Sequence, residues 1–274
     1  MSVYRITGKE AAIDGLTCLR EWSGIIRGLD TAAVCSASAG AVLRVEGNAD
    51  WMVRAVGYGV PPKYPGEKFT FTGSDRDGAG WQSADDGAIV SKVKIFCPIE
   101  RGKIIYYHLD IAGNGEITKG SYSASDSTAP NPLSAKGLSF SMDGATVYGV
   151  EHWELEIDGN LTDPSWPGHL DGWAVRDEGN VDASLMWRQT FDAAGQIPEV
   201  NSFHTFQPYV TATTNYDISW GQVLEEPVQY PIEGNPPGKA EYVRAQITAR
   251  FTGWKDSVQG YIKKPGGSNY WPSS

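Results

Sequence analysis

Cysteine is scarce. The chain has three, Cys18, Cys35 and Cys97, an odd number, widely spaced and without a Cys-x-x-Cys pair, which excludes a disulfide framework and a thiolate zinc site as organising features. We read them as reduced thiols of a protein made in a cytoplasm. Histidine is as sparse: His108, His152, His169 and His204 stand alone, with no spacing that brings two imidazoles to one metal. No run approaches the roughly 18 apolar residues of a membrane span, and the first ten residues lack the apolar stretch of a secretory signal. Long Ala/Leu/Glu/Lys tracts are missing, which excludes a helical bundle. Basic residues are in deficit, 23 Lys and Arg against 33 Asp and Glu for a net charge of −10. That balance argues against a tight grip on DNA, which needs many cations to release phosphate counterions, but not against a protein that DNA merely passes.

What is present is the material of short strands and turns: 32 Gly, 16 Pro, 10 Trp and 13 Tyr in 274 residues. The 41% of hydrophobic residues suffices to offset the ordering entropy of a folded chain. Period-two alternation marks the strands. In Trp153–Asp158, Trp153, Leu155 and Ile157 point one way and Glu154, Glu156 and Asp158 the other, so one face is buried and the opposite face reads as uniformly acidic. Further strands are expected at 41–46, 51–58, 69–72, 89–96, 103–111, 184–191, 216–224 and 241–254, each bounded by Gly, Pro, Asp or Asn. Short helices find their best candidates at 83–88 and 192–196.

The most informative feature is an internal repeat. Ile13-Asp14-Gly15 recurs as Met142-Asp143-Gly144. Leu19-Arg20-Glu21-Trp22 recurs as Val150-Glu151-His152-Trp153, and Glu46-Gly47-Asn48-Ala49-Asp50 as Glu178-Gly179-Asn180-Val181-Asp182. The offsets run 129, 131, 132, a creep that loop insertions leave in duplicated modules. Ile117-Thr118 and Ile247-Thr248 offer a weaker fourth match. Gly-, Asp- and Trp-rich β proteins produce chance matches, but three in the same order favour duplication. Ser121 to Pro132 is small, polar and proline-containing and reads as an extended linker. The expected organisation is a first module at 1–120, a linker at 121–136, a second module at 137–255 and a terminal extension at 256–274. Trp22 and Trp153, at equivalent positions, are the expected repeat core. The turn-rich connections 29–40 and 159–172 are long enough to be functional.

Chemistry is harder to find. There is no Gly-x-Ser-x-Gly elbow. Asp75-Arg76-Asp77-Gly78 lacks the further acidic ligands of a calcium loop, and neither Gly57-Tyr58-Gly59 nor Gly113-Asn114-Gly115 has the context of a phosphate cradle. Asp85-Asp86 and Glu225-Glu226 are adjacent pairs that alternation sends to opposite faces. No catalytic residue, metal ligand or cofactor is expected. Trp51, Trp81, Trp166, Trp173, Trp220 and Trp271 keep a carbohydrate-binding or adhesion reading open, since indole rings stack on sugars.

The order Gly8 to Gly15, then Arg20-Glu21-Trp22, a Thr/Asp/Ser-rich loop, and Glu46-Gly47-Asn48-Ala49-Asp50-Trp51, repeated in the second half, resembles the major tail tube proteins of long-tailed bacteriophages. The chain departs from them in lacking a clear helix between the later strands of each half and in carrying its second-half tryptophan at Trp187. The resemblance implies an all-β chain of two tandem tail-tube-like β-sandwich domains that contribute strands to an oligomeric inner β-barrel. It implies a structural, non-enzymatic virion protein, assembled in the host cytoplasm as trimeric, pseudo-six-fold rings. These rings stack into the conduit for genome ejection. Its partners would be itself, the tape measure protein and genomic DNA in the lumen, and tail-tip and tail-terminator proteins, with no membrane. On this reading Glu154, Glu156, Asp158 and Glu21 face the lumen and repel phosphates. Asp30, Thr31, Ser36, Ser38, Asp163, Trp166 and His169 reach neighbouring subunits or rings. A hydrolase on a sandwich scaffold is the remaining rival and requires clustered, perturbed carboxylates.

Overall fold

A computed structural model describes residues 4–7, 12–16, 18–28, 31–33, 43–45, 48–74, 78–99, 102–124, 132–165, 172–191, 198–224, 228–231, 243–255 and 257–272. Every regular element among them is a strand. The chain is all-β, built from large antiparallel sheets in the manner of a sandwich.

The principal sheet takes β1 (Tyr4–Thr7), β2 (Leu19–Gly28), β3 (Ala49–Tyr58), β4 (Ala88–Cys97), β5 (Tyr106–Gly113), β6 (Phe140–Met142), β7 (Ala145–Thr146), β8 (Val150–Asp158), β9 (Asp182–Phe191), β10 (Phe203–Pro208), β11 (Asp217–Val223) and β12 (Val243–Phe251). Their spatial order is β1-β2-β3-β5-β4-β8-β9-β12-β11-β10-β6-β7. Within it β2-β3-β5-β4 is followed by β8-β9-β12-β11, the same order of counterparts. The registers agree as well. Trp22 stands opposite Ala55 and Ala55 opposite Leu109, while Trp153 stands opposite Trp187 and Trp187 opposite Ile247. Leu109 is therefore the counterpart of Ile247. The match of Ile117-Thr118 with Ile247-Thr248 is coincidental, because Ile117 lies in a different sheet; two residues are too few to fix a register.

Each half covers its core face with a second layer. In the first, Ile117–Ser121, Ala79–Ser83, Thr72–Ser74 and Ala12–Ile13 pair in that order. In the second, Ile262–Lys263, the start of β11, β10 and β6 do the same. β11 passes between layers, and Trp220 at the crossing has φ +54°, in the left-handed region. The hairpin β6–β7 turns on Asp143 (φ +52°) and Gly144 (φ +78°), the Asp-Gly pairing that two-residue hairpins demand.

Indole rings fill the space between layers. Trp22 meets Phe71 at 5.9 Å and Trp81 at 5.8 Å, Trp187 meets Phe140 at 5.4 Å and Phe206 at 5.2 Å, and Trp153 meets Tyr216 at 6.4 Å between ring centroids. Trp22 and Trp153 are both fully buried, and truncating a ring of this kind costs about 3–5 kcal/mol. Gly24 is required because Trp81 lies on it: a Cβ there would fall 2.2 Å from the ring. Cys97, buried opposite Trp153, has its thiol pushed up to about 12 by burial. Cys35 lies outside the described residues.

One expectation is corrected, and the expected linker and terminal extension acquire a setting. The segment 83–88 is a turn between strands, with Asp86 at φ +51°; the other helix candidate, 192–196, lies outside the described residues. The linker is pinned at both ends: Tyr122 N donates to Gly78 O, and Ile105 N donates to Leu133 O at 2.9 Å with Ala135 fully buried. The described residues of the terminal extension, 257–272, pack on the rest of the chain. Ile262 pairs with Ile218 and is fully buried, Tyr270 Oη donates to Pro65 O at 3.0 Å, and Trp271 packs on Phe251. It supplies the layer strand that Ile117–Ser121 supplies in the first half, and its short alternation was hidden among lysines and glycines.

Candidate functional site

The principal sheet leaves one face open. Alternation along each strand selects that face, and register aligns it across strands into rows. One row runs Glu21, Val56, His108, Lys94, Glu156, Ser184, Arg250, and the next runs Ser23, Arg54, Asp110, Lys92, Asp158, Asp182. The four expected lumen residues thus share a face. Glu154, Glu156 and Asp158 are brought together on β8, and Glu21 lies four strands away.

That face is not uniformly acidic. β4 alternates in phase with β8 and places lysines between its carboxylates. Lys92 Nζ lies 3.0 Å from Glu156 and 2.8 Å from Asp158, and Lys94 Nζ lies 2.8 Å from Glu154 and 3.8 Å from Glu156. His152 reaches Glu154 at 2.9 Å, Arg54 pairs with Asp110 at 2.6 Å, and Arg250 pairs with Asp182. The error came from reading one strand alone: β8 holds the acids and β4 their partners. The face is a lattice of paired charges, each half-exposed pair worth about 0–1 kcal/mol. His108 has its pKa lowered, by burial first and by Arg54, so it is neutral at pH 7.

Burial works to raise the Glu154 carboxyl, but hydrogen bonds from His152 and Lys94 outweigh it and hold the group below its ordinary value of 4.5. A carboxylate depressed in the folded state contributes stability above its unfolded pKa and loses it as the pH falls through the depressed value. Glu154→Gln should therefore melt below the wild type at about pH 6, with the gap closing toward about pH 2. A gap independent of pH in thermal melts would remove this role.

The seam between the halves is the second feature. β4 lies along β8 from Lys92 opposite Asp158 to Cys97 opposite Trp153. The β8–β9 connection then folds back as an arm onto the first half. Gly159 N donates to Ser91 O at 2.9 Å, Ala49 N to Gly172 O at 2.8 Å, and Gly115 N to Ala174 O at 2.8 Å. At its centre the Arg176 guanidinium forks onto Asp50 at 2.8 and 2.6 Å, and Nη1 also donates to Gly113 O at 2.7 Å. These side chains are only 9% and 14% exposed. Gly179 fits because a Cβ there would fall 1.6 Å from Asn160 O.

Sequence reasoning missed Arg176, although its signal was present. The repeated motif is longer than first read: Gly40, Arg44, Glu46, Gly47, Asn48 and Asp50 recur as Gly172, Arg176, Glu178, Gly179, Asn180 and Asp182, all at offset 132. In the first half the corresponding connection includes a hairpin of Thr31–Ala33 with Leu43–Val45. Of the expected contact residues, Thr31 opens that hairpin and Asp163 is exposed in the second arm. Asp30, Ser36, Ser38, Trp166 and His169 lie outside the described residues.

The two outer edges complete the picture. Val228–Pro231 pairs with β12 on one side, and among the described residues no strand pairs with its other side. Val228 stands opposite Gln246 and Gln246 opposite Arg188, as Lys94 stands opposite His108 and His108 opposite Val56. Val56 and Arg188 each follow their motif aspartate by the same six residues. Val228–Pro231 is thus the counterpart of Lys94–Cys97, the stretch that meets β8. At the opposite end, β1 lies against β2, with Tyr4 opposite Gly24, Arg5 opposite Ser23 and Ile6 opposite Trp22.

The rival sites are thinner. Trp51 and Trp81 are buried, Trp173, Trp220 and Trp271 are half-buried, and Trp166 lies outside the described residues, so none of the described rings forms an exposed sugar platform. A cleft of about 400 Å³ lined by Gln207, Asn215, Asp217, Lys263 and Lys264 contains one carboxylate, raised by burial against the opposing pull of Lys263; paired-carboxylate hydrolysis needs two. No protein-family model matches the chain, and the comparison with curated proteins gives no relative.

Proposed function

We propose that the chain is a structural protein that assembles with copies of itself into rings stacked as a tube, the tail tube of a long-tailed bacteriophage. The observation that carries this reading is the tandem recurrence of one strand order within a single sheet, which leaves on its outer sides the counterparts of the strands that meet in its middle, Val228–Pro231 with one side unpaired among the described residues and β2 covered by the short β1. A heterologous contact of that kind closes into a ring when the rotation fits, and closure removes the exposed edges that otherwise invite aggregation.

The resemblance to tail tube proteins adds the number of copies. Each half offers four strands to the open wall, so three chains would supply twenty-four. At a spacing of about 4.8 Å and a tilt of about 40°, that makes a barrel about 50 Å across between backbones, with room for a nucleic-acid duplex after side chains are added. The lattice of paired charges suits a conduit in a different way from an acidic wall. Lysines and arginines already engaged by carboxylates offer phosphates few free partners, so DNA slides without being held.

Concentrated protein viewed by negative-stain microscopy should show rings or tubes whose class averages display six similar lobes. Monomers under every condition of salt, pH and concentration would sink the reading.

A further inference from the structure

We infer that the seam between two copies repeats the seam between the two halves, with Asp182 as the seat for Arg44 of the next copy. This rests on the assembling function proposed above and deepens it by naming the contact. Within the chain, the arm that follows β8 places Arg176 on Asp50. Arg44 is Arg176 displaced by 132 residues, and Asp182 is Asp50 displaced by the same 132.

The seat is built alike in both halves. Asp50 Oδ1 accepts the N–H of Trp51 at 2.8 Å, and Asp182 likewise accepts the backbone N–H of Ala183. The Arg176 guanidinium also uses the carbonyl of Gly113, the last residue of β5. β5 corresponds to β12, and the two residues beyond each, Asn114-Gly115 and Thr252-Gly253, end alike on a glycine. What differs is the occupant. Asp50 is sealed by its arm, whereas Asp182 is one-third exposed and its ion pair is with Arg250, itself 58% exposed. An exposed surface pair of this kind is weak and readily exchanged.

The edges follow the same operation. Cys97, Phe96, Ile95 and Lys94 stand opposite Trp153, Glu154, Leu155 and Glu156. Carried to the ends of the sheet, Pro231, Tyr230, Gln229 and Val228 of one copy stand opposite Trp22, Ser23, Gly24 and Ile25 of the next. Three of those four positions are held by β1 in the isolated chain, so β1 leaves the edge as the copies join.

The test is a charge swap read by sedimentation and negative-stain microscopy on the full chain. Arg44→Glu should raise the concentration needed for assembly at least tenfold while circular dichroism and melting stay those of the wild type. Asp182→Arg should do the same, and Arg44→Glu/Asp182→Arg should recover assembly to within a few-fold of wild type. Arg44→Glu assembling like wild type, or a folded double variant no better than the singles, would overturn the assignment. If the wild type itself never assembles, the functional reading falls first and this contact with it. An Arg250→Ala variant separates the two roles of Asp182: the seat predicts assembly kept or improved, and its loss would count against the exchange.

Discussion

Replacing Arg176 by methionine is expected to destabilise the whole chain by about 3–5 kcal/mol, because it leaves Asp50 buried and charged with no cationic partner. For a domain of this size that corresponds to a fall in Tm on the order of 10 °C. The effect reaches both halves, since the arm that carries Arg176 belongs to the second half and Asp50, Gly113 and Asn114 to the first. Arg250→Met, which opens the exposed pair with Asp182, should cost no more than about 1 kcal/mol by the same measurement. The double variant Asp50→Asn/Arg176→Met should recover part of the loss, because both charges go together. Urea or calorimetric unfolding that finds Arg176→Met as mild as Arg250→Met would show the arm to be a passive covering, and two separate transitions in the wild type would show the halves to be uncoupled.

Much of the fold was legible because its signals are local. Trp153-Glu154-Leu155-Glu156-Ile157-Asp158 declares a half-buried strand by alternation alone, and the aspartate-glycine turns and the bounding glycines mark where strands stop. What alternation leaves out is the neighbour. Lys92 and Lys94 lie some sixty residues before their partners on β8, and only the strand order brings them onto one face. The same limit hid Arg176: an arginine in a turn-rich connection looks solvated until the arm is seen to lie on Asp50. It also hid where the terminal extension packs, since Ile262 is one apolar residue among polar ones and its burial depends on β11. The repeat could have supplied Arg176. Extending the Glu-Gly-Asn motif six residues backwards takes in Gly40 and Arg44 with Gly172 and Arg176, and paired arginines at equal offsets are worth more than any single match.

The repeat also fixes which surfaces are spent and which remain. In the middle of the sheet β4 and β8 consume each other's edges, and the second arm consumes the seat at Asp50. At the ends the β2 edge is covered by the four-residue β1 and the seat at Asp182 by the exposed Arg250, covers that the proposed assembly exchanges for the next copy. On the proposed reading, a module that needs a successor, and has one in its own chain, carries its demand to the next chain. That reading gives a physical route from duplication to polymerisation, and it requires no residue beyond those the fold already uses.

Arg5→Pro/Ile6→Pro should lower the concentration at which assembly begins by roughly ten- to a hundred-fold. Proline removes the backbone N–H, so whichever of the two residues donates to β2 loses its bond, and the four-residue ladder of β1 cannot hold. Such a ladder is worth on the order of 2 kcal/mol, a few hydrogen bonds at about 0.5–1.5 kcal/mol net each, and at 1.4 kcal/mol per tenfold that is the shift expected. Amide exchange at Trp22, Ser23 and Gly24 should quicken in the monomeric variant, since these are the residues β1 covers, while exchange in β3 and β5 stays slow. A peptide of residues 1–9 added in excess should restore the wild-type threshold by occupying the vacated edge in trans. If the variant keeps its fold yet assembles at the same concentration, or a higher one, β1 belongs to the assembled wall and does not compete for its edge.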